Sequence, residues 1–340
     1  MEDKFKKEVE IAQLKKEHED GVIDLILTSF SGKQKAQLLE RYRFANYHNP
    51  AQNNIPLGLV AIYNKKIISY RGFIGLPYLA GDEKIKILIP NSTATHPDYQ
   101  RKGISREINE KSLDIFSDQY IFFLGTSLNK LSFLGKLKQK WRLLAEKDYL
   151  YKRQFRISSK LSKNKHIFFE DKVPTEAILS ISKASIFSKN HRIRIDLSTK
   201  DFVNWVFTNQ DYKWAVLSDN KEPIAYCCYT VDGNKSQIIH YDMIYNDNNL
   251  AVLLNEISRN NGVKSFMCYC PKTKSLRRKI LMNSGFLSTN NAFIRKILGK
   301  ELLPILIRPT TRDFNSSYFE LKGIDSGNNK NWDITALSNF

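Results

Sequence analysis

Residues 94–106 are the part of this 340-residue sequence that most restricts its fold. They read Ala-Thr-His-Pro-Asp-Tyr-Gln-Arg-Lys-Gly-Ile-Ser-Arg and join a predicted strand to a helical pattern that begins at Ile104. The first amides of a helix have no partner within it and lie at the positive end of its dipole. Gly103 lets the backbone approach a ligand closely, and Arg101 and Lys102 add positive charge. The sequence therefore predicts an anion-binding turn between a strand and a helix.

The hexapeptide Gln100-Arg101-Lys102-Gly103-Ile104-Ser105 resembles the pyrophosphate-binding motif of the GNAT acetyltransferases, Gln/Arg-x-x-Gly-x-Gly/Ala. Ser105 departs from the motif but is also small, and the lead-in His96-Pro97-Asp98-Tyr99 is typical of the family. An ordinary basic strand-to-helix turn would explain the hexapeptide equally well if it stood alone. The strand before it and the helix after it favour the resemblance.

The patterns over residues 8–156 predict a strand, two helices, three strands, a helix, a strand, a helix and a final strand over residues 141–155. This is the order of elements in a complete GNAT domain. The resemblance therefore implies a first domain over residues 1–156 that binds acyl-CoA, with acetyl-CoA as the expected donor. In that fold, the strand before the anion turn and the strand after its helix splay apart, and the acyl-CoA lies in the gap.

The resemblance also implies which residues contact the cofactor. The turn would hold the pyrophosphate, the end of the preceding strand would pair with the pantetheine arm, and an Asn at the next helix would contact that arm. These positions are Thr93, Ala94, Thr95, Gln100, Arg101, Lys102, Gly103, Ile104, Ser105 and Asn129.

The helix after Asn129 departs from the family pattern at the catalytic acid. Lys136 stands in the place of the Tyr that is usually credited with protonating the leaving thiolate, and Ser132 in the place of an Ala. Lys140-Trp141 replaces the closing Gly-Phe. Lys136 could supply a proton only if its pKa lay well below its ordinary value of ~10.4. A shifted helix register, or an enzyme that relies on positioning and amide polarisation, is the alternative.

Four other residues are candidates for the site, each with a structural alternative. His96 could act as a base beside the cofactor, or it could be a structural residue of the turn. Asn49 and Arg71 lie where this fold binds its acceptor, with a surface position as the alternative. Asp242 is a lone acid in an apolar run, so it could receive a proton from the acceptor amine or form a hydrogen bond between domains.

Residues 157–340 repeat the same order of elements and predict a second domain. Residues 275–286 resemble the closing motif of a GNAT domain, but Tyr245-Asn246-Asp247-Asn248 places an acid, without a glycine, where the phosphate turn would stand. We expect a degenerate copy that binds no CoA, packs on the first domain and walls the acceptor pocket. The predicted fold class is α/β (α+β), with two tandem GNAT-like domains, each a mixed, mostly antiparallel sheet flanked by helices.

The net charge of +18 indicates an anionic partner or a solvated basic surface. No apolar run reaches the ~18 residues that span a bilayer, and the start of the sequence lacks a signal-peptide pattern. The four cysteines are not spaced as the ligands of a zinc site are. We expect a cytoplasmic protein with buried free thiols, no metal and no membrane insertion.

These features predict acyl transfer, most simply acetyl transfer, from acyl-CoA to a small-molecule amine. An amino group on a nucleotide-linked sugar of a bacterial surface-polysaccharide pathway suits the charge, and the tail Trp332-Asp333-Ile334-Thr335 resembles tails in that group. The alternative is a non-catalytic basic module on the same scaffold that binds nucleic acid or an anionic glycan. A transferase that uses aminoacyl-tRNA is a weaker alternative, because it would not need the intact pyrophosphate turn.

Overall fold

The structure of the chain is a computed structural model, and it describes residues 5, 7–30, 34–53, 55–126, 130–154, 164–190, 192–208, 211–245, 248–273, 275–289 and 304–338. The described strands form two large sheets and a small ribbon. The strands of the first sheet pair in the order β1 (Glu10–Gln13), β2 (Leu57–Tyr63), β3 (Lys66–Ala80), β4 (Glu83–Thr95), β5 (Phe122–Gly125), β15 (Pro304–Pro309) and β6 (Arg142–Glu146). Two further strands join this sheet at β3: β9 (Ile193–Ile195) pairs with β3, and β18 (Trp332–Asp333) pairs with β9.

The second sheet pairs in the order β14 (Leu287–Ser288), β7 (Tyr149–Arg153), β13 (Ser265–Tyr269), β12 (Lys235–Met243), β11 (Glu222–Asp232), β10 (Lys213–Asp219) and β8 (Lys165–Glu170), and the ribbon is β16 (Glu320–Leu321) with β17 (Ile324–Asp325). The described helices are α1 (Glu19–Ser29), α2 (Lys35–Tyr47), α3 (Ile104–Phe116), α4 (Lys130–Lys138), α5 (Thr175–Ala184), α6 (Ile186–Asn190), α7 (Lys200–Thr208), α8 (Asn249–Asn261) and α9 (Leu276–Asn283). None of them is long and apolar enough to cross a membrane.

Short-range signals set the register at the centre of the first sheet. Asn64 and Lys65 have φ values of 48° and 61°, as a two-residue hairpin turn requires, and they connect β2 to β3. β3 continues beyond Phe73, where its pairing with β2 ends, because β4 pairs with it along its length. The extra residues of β3 provide the edge on which β9 pairs.

Helices cover both faces of the first sheet. On one face, the apolar side of α1 packs against Val60 and Tyr70. On the other face, α3 buries Ile104 and Ile108 in a cluster with Phe73. Within the described residues, the parallel strand pairs are β4–β5, β12–β13 and β9–β18, and all other pairs are antiparallel. The prediction of two mixed, mostly antiparallel sheets flanked by helices is confirmed.

The single strand predicted over residues 141–155 is wrong. The chain instead forms β6 in the first sheet and β7 in the second, so it changes sheets between them. Asp148 lies at the crossing and is buried, and its carboxylate accepts hydrogen bonds from Arg278 Nη2 at 2.7 Å and from Ser288 Oγ at 2.5 Å. These two residues, both on the second-sheet side, hold the chain in its new direction.

Strand pairing also crosses the predicted boundary in the opposite direction. β15 lies between β5 and β6, and both pairings are antiparallel. The ranges 1–156 and 157–340 therefore do not each contain one complete sheet. A shared core accompanies this exchange: the rings of Phe44 and Trp205 stack at 5.2 Å, and Trp332 packs edge-on against Tyr78 at 6.0 Å.

Candidate active site

The turn before α3 presents free backbone amides at a helix N-terminus. Gly103 caps α3 with a φ of 81°, and Arg101 has a φ of 62°. The amides of residues 101–105 donate no hydrogen bond to the part of the chain that the structure describes. Lys102 Nζ lies 4.9 Å and 5.0 Å from the ring centroids of Phe5 and Tyr99. The turn therefore has the donors and the positive charge that bind a phosphate group.

The two strands on either side of α3 separate along their length. β4 and β5 pair in parallel only at Ile87↔Phe122 and Leu88↔Phe123, and β4 then continues to Thr95. Among the described residues, no strand lies beside this edge of β4 from residue 89 onward. The carbonyl oxygens of Ala94 and Thr95 accept hydrogen bonds from Ser69 Oγ at 3.0 Å and Gln100 Nε2 at 3.2 Å. The remaining backbone groups of this edge, which includes Thr93, can pair with an extended ligand in the gap.

A bulge in β4 lies beside this gap. The register with β3 shifts between Arg71 and Gly72, and Ser92 on β4 is left unpaired with a φ of 46°. Gly72 permits this close approach, because a Cβ there would overlap the Tyr70 hydroxyl and lie 2.8 Å from the Asn91 carbonyl oxygen. Arg71 lines a cavity on the α3 face of the sheet, and Asn91 and Ser92 line another on the α2 face.

The cavity on the α3 face, which we call the basic groove, has a volume of about 630 Å³ and lies between α3 and α4. Apolar and aromatic parts of its wall include Leu113, Phe123 and Trp141. Its ionisable residues are Arg71, Arg106, Glu110, Lys136, Lys138, Lys140, Arg308 and Arg312. Seven of these eight are basic, so the groove attracts anionic ligands.

Three cations of the groove are buried. Arg71, Lys136 and Arg308 are exposed by 5%, 7% and 6%. Burial lowers the pKa of Arg71 to about 10 and that of Arg308 to about 10. Burial also lowers the pKa of Lys136 well below 10.5, and the charges of Arg71 and Arg308 add to the effect. The role of Lys136 as a proton donor stays a prediction.

The cavity on the α2 face, which we call the tyrosine cavity, has a volume of about 360 Å³. The first half of the chain contributes Leu38, Arg41, Tyr42, Phe44, Ala45, Asn46, Tyr70, Ile74, Asn91 and Ser92. The second half contributes Val206, Tyr212, Ala336 and Leu337. No carboxylate or histidine is among the described residues of this lining.

Apart from Arg41 at its edge, the polar groups of the described lining of the tyrosine cavity are neutral hydroxyls and amides. Burial raises the pKa of Tyr42, Tyr70 and Tyr212, so all three hydroxyls keep their protons. The Asn46 carboxamide lies beside the Tyr70 hydroxyl, but its carbonyl oxygen lacks the geometry of a hydrogen bond. The Asn46 oxygen is a buried acceptor without a partner among the described residues, and it lies in the wall of this cavity.

No protein-family profile and no curated protein matches the sequence. Solved structures match the fold. A conserved protein of unknown function from Enterococcus faecalis V583, described as a probable N-acyltransferase, aligns with a TM-score of 0.67 and 12% identity over 92% of this chain and 74% of its own. A GCN5-related N-acetyltransferase from Kribbella flavida aligns with a TM-score of 0.66 and 8% identity over 88% of this chain and 71% of its own.

A tandem GNAT protein from the clavulanic acid biosynthesis pathway aligns over 89% of this chain and 99% of its own, with a TM-score of 0.54 and 8% identity. The chain has the tandem GNAT fold. At identities of 8–12%, these matches establish the fold alone.

In the second half of the GNAT fold, the corresponding gap is filled. β12 and β13 pair in parallel only as far as Ile238↔Cys268, and Arg277 lies beyond that point. Arg277 Nη1 donates to the Tyr241 carbonyl oxygen, and the Tyr241 hydroxyl donates to the Arg277 carbonyl oxygen at 3.0 Å. Residues 246–247, part of the predicted acidic turn, lie outside the described residues. Arg277 therefore contacts the part of β12 that continues beyond its pairing with β13. The expectation that this half binds no CoA stays a prediction.

His96 and Asn49 act as caps of local turns. His96 Nδ1 accepts a hydrogen bond of 3.3 Å from the Asp98 amide. Asn49 is fully buried, and its side-chain amide donates to Gln52 Oε1 and to the Gly75 carbonyl oxygen, both at 3.0 Å. The surface position considered for Asn49 is therefore wrong. Both hydrogens of its side-chain amide are used within the protein, so neither is left to bind the acyl-acceptor substrate.

The structure separates the other predicted site residues. Arg71 is buried rather than on the surface, and it lines the basic groove rather than the tyrosine cavity. Asp242 lines neither cavity: it accepts hydrogen bonds from Ser185 Oγ at 2.5 Å and from the Met243 amide at 2.7 Å. Burial raises the pKa of Asp242 to about 7. Asn129 lies outside the described residues.

Several residues of the two cavities were absent from the sequence prediction. Tyr42 and Asn46 are four residues apart on α2 and therefore lie on the same face of the helix. This spacing of polar residues is the sequence pattern that could have identified them. Arg308 had no comparable signal, because β15 is brought to β5 by long-range pairing. The four cysteines are buried free thiols, and no group of three potential metal ligands occurs among the described residues.

Proposed function

We propose that this chain is an acyl-CoA-dependent N-acyltransferase that acts on an amine. The observation that carries the proposal is the arrangement around the β4 bulge. An anion-binding turn and a basic groove lie on one face of a splayed sheet, and a polar cavity that is rich in tyrosine and asparagine lies on the other face. An anionic donor and an amine acceptor can therefore reach the same point of β4 from opposite sides.

The residues of the donor side fit acyl-CoA. The free amides of residues 101–105 would bind the pyrophosphate, and the unpaired edge of β4 would bind the pantetheine arm. The bound donor supplies an activated thioester. A free amide of β4 would stabilise the negative charge that develops on the carbonyl oxygen, since backbone donors fixed in a partly buried site need no reorganisation.

The reaction forms a C–N bond to the amine and breaks the C–S bond, with CoA as the thiolate product. The amine reacts in its neutral form, and its proton passes to water, because the described lining of the tyrosine cavity offers neither a carboxylate nor a histidine. Arg71, Lys136 and Arg308 would stabilise the thiolate. Lys136, which lines the same groove, would return a proton to it.

The acceptor class that we propose is an amino sugar linked to a nucleotide. Tyr42, Phe44 and Tyr212 provide ring faces on which a base or a sugar can pack, and exposed Arg41 at the edge of the cavity can pair with a phosphate. The absence of carboxylates from the described lining disfavours polycationic acceptors.

Thermal unfolding with and without saturating acetyl-CoA tests the donor assignment. Ligand at about 100 times its dissociation constant should add about 2.7 kcal/mol of stability. We expect this shift in the wild type and its loss in Gly103→Glu, which places a carboxylate at the turn. Gly103→Ala is the matched control, because it carries the same strain at a φ of 81° without the charge. Transfer to a panel of amines then tests the acceptor.

A folded wild type that shows no shift with acetyl-CoA or any longer acyl-CoA refutes the proposal. In that case the non-catalytic alternative would be tested by titration with single-stranded nucleic acid and an anionic glycan at rising salt.

A further inference from the structure

The floor of the basic groove holds a cluster of three buried cations that come from distant parts of the chain. Arg71 is on β3, Lys136 on α4 and Arg308 on β15. Lys136 Nζ and Arg71 Nε make no hydrogen bond within the described residues. Lys136 lies over the ring of Trp141 at 4.5 Å. A ring face attracts a cation but carries no net charge that would neutralise it.

The three acids of α3 do not neutralise this cluster, and the first of them, Glu107, is not part of the groove lining. Glu110 pairs with Arg106 at 2.9 Å, and Asp114 pairs with both arms of Arg312 at 2.5 Å and 2.7 Å. Glu110 is the only acid among the described residues of the groove lining. The cluster therefore holds positive charge in the resting protein, and burying such charge is costly unless an anion completes the site.

We propose that the three-cation cluster binds a carboxylate at the far end of the acyl chain, so that the donor is the CoA thioester of a dicarboxylic acid. This inference rests on the proposed function, in which the thioester lies in the gap between β4 and β5. Arg71 is the strand partner of Thr93, beside the bulge and on the free edge of β4. The cluster therefore begins where the acyl chain would leave that edge, and the N–H groups of an arginine match the two oxygens of a carboxylate.

The depth of the cluster in the groove indicates that its ligand is a carboxylate on the acyl chain and not a phosphate of CoA. The phosphates of CoA have donors of their own in the amides of residues 101–105, and the exposed Lys138 and Lys140 line the outer part of the groove. The cluster is buried, and a group on the acyl chain reaches that depth because the thioester itself enters the gap. The leaving thiolate exists only after transfer, so it does not balance the charge of the resting complex.

Equilibrium binding of acetyl-CoA, butyryl-CoA and succinyl-CoA to the full chain tests the proposal. Butyryl-CoA is the matched ligand, because its chain has the same length as that of succinyl-CoA without the carboxylate. We expect the wild type to bind succinyl-CoA at least about tenfold tighter than butyryl-CoA, as one charged hydrogen-bonded contact allows. Lys136→Met should bring the two affinities within about threefold of each other. Lys111→Met, at an exposed position of α3 that is not part of the groove lining, should keep the preference.

Each other outcome has a defined meaning. Equal affinity of the wild type for succinyl-CoA and butyryl-CoA overturns the proposal and leaves the acyltransferase assignment intact. If Lys136→Met raises the dissociation constants of all three ligands by the same factor, the cluster binds the CoA phosphates, and the proposal is again overturned. Arg71→Met provides the same comparison if Lys136→Met fails to fold. A folded wild type that binds none of the three ligands refutes the proposed function itself.

Discussion

Asp333 accepts hydrogen bonds of 2.7 Å from both Nε and Nη2 of Arg277, and both side chains are buried. Arg277 is on α9, which packs on the second sheet, and Asp333 is on β18, which belongs to the first sheet. The guanidinium also lies 3.9 Å from the ring centroid of Phe187. The two-armed pair therefore ties the C-terminal segment to both halves of the molecule.

Asp333→Asn should destabilise the protein by about 3–5 kcal/mol, because it removes the carboxylate that is hydrogen-bonded to the buried Arg277 guanidinium. Urea unfolding measures the change. Asp313→Asn removes an exposed acid of the same segment and is expected to change stability by less than about 0.5 kcal/mol. If the free energy of unfolding of Asp333→Asn decreased as little as that of the control, the Arg277–Asp333 pair would not hold the two sheets together.

Lys136→Met should stabilise the unliganded protein by about 1–3 kcal/mol at neutral pH, because it removes a buried ammonium group that has no hydrogen-bond partner. The pKa of Lys136 is lower in the folded state, so the unfolded chain binds more protons between that lowered pKa and 10.5. This residue therefore makes wild-type stability rise with pH in that window. Unfolding from pH 6 to pH 10 should show a smaller rise in the variant, with Lys138→Met behaving as wild type.

Asp242→Asn should change the pH dependence of stability in the opposite direction. Burial raises the pKa of Asp242 from 3.8 to about 7, so the folded state binds more protons than the unfolded state between these values. Wild-type stability should therefore fall as pH rises from 4 to 7, by up to roughly 4 kcal/mol from this group. Asparagine keeps an oxygen for Ser185 and for the Met243 amide but cannot ionise. An unchanged pH profile in urea unfolding of the variant would rule out this account.

Ala336→Trp should block the tyrosine cavity from the side that the C-terminal segment provides. Under the proposed function, the KM for the amine should rise by about tenfold or more, as loss of one to two kcal/mol of binding implies. The stabilisation by acetyl-CoA should be unchanged, because the donor binds on the other face. Ala184→Trp, an exposed position on α5, is the control. An equal rise in the dissociation constant of acetyl-CoA would argue against separate donor and acceptor faces.

The anion turn could be predicted from sequence because its parts are local. A strand, Gly103 and a helical repeat occur within about thirty residues of each other. The φ of 81° at Gly103 is a positive value that glycine adopts readily. The hairpin at Asn64 and Lys65 follows the same logic. Most elements of the second half were also predicted, since each carries its own periodicity.

Pairing between distant strands could not be predicted in this way. The apolar run Ile305-Leu306-Ile307 of β15 would suit any buried strand position, and nothing local indicates that it pairs with β5 and β6. The change of sheet at Asp148 depends on Arg278, a residue 130 positions away. Arg308 and the tyrosine cavity were missed for the same reason, because both are assembled from the two halves of the chain.

The place of β15 has a consequence for how the protein is made. The ribosome completes β5 and β6 long before it reaches residue 304, so the growing chain holds two open strand edges at the middle of its first sheet. Those edges must be shielded from other chains until β15 leaves the exit tunnel. Because Arg308 arrives on that same strand, the groove acquires its last buried cation only near the end of synthesis, and a prematurely terminated product has no means of forming it.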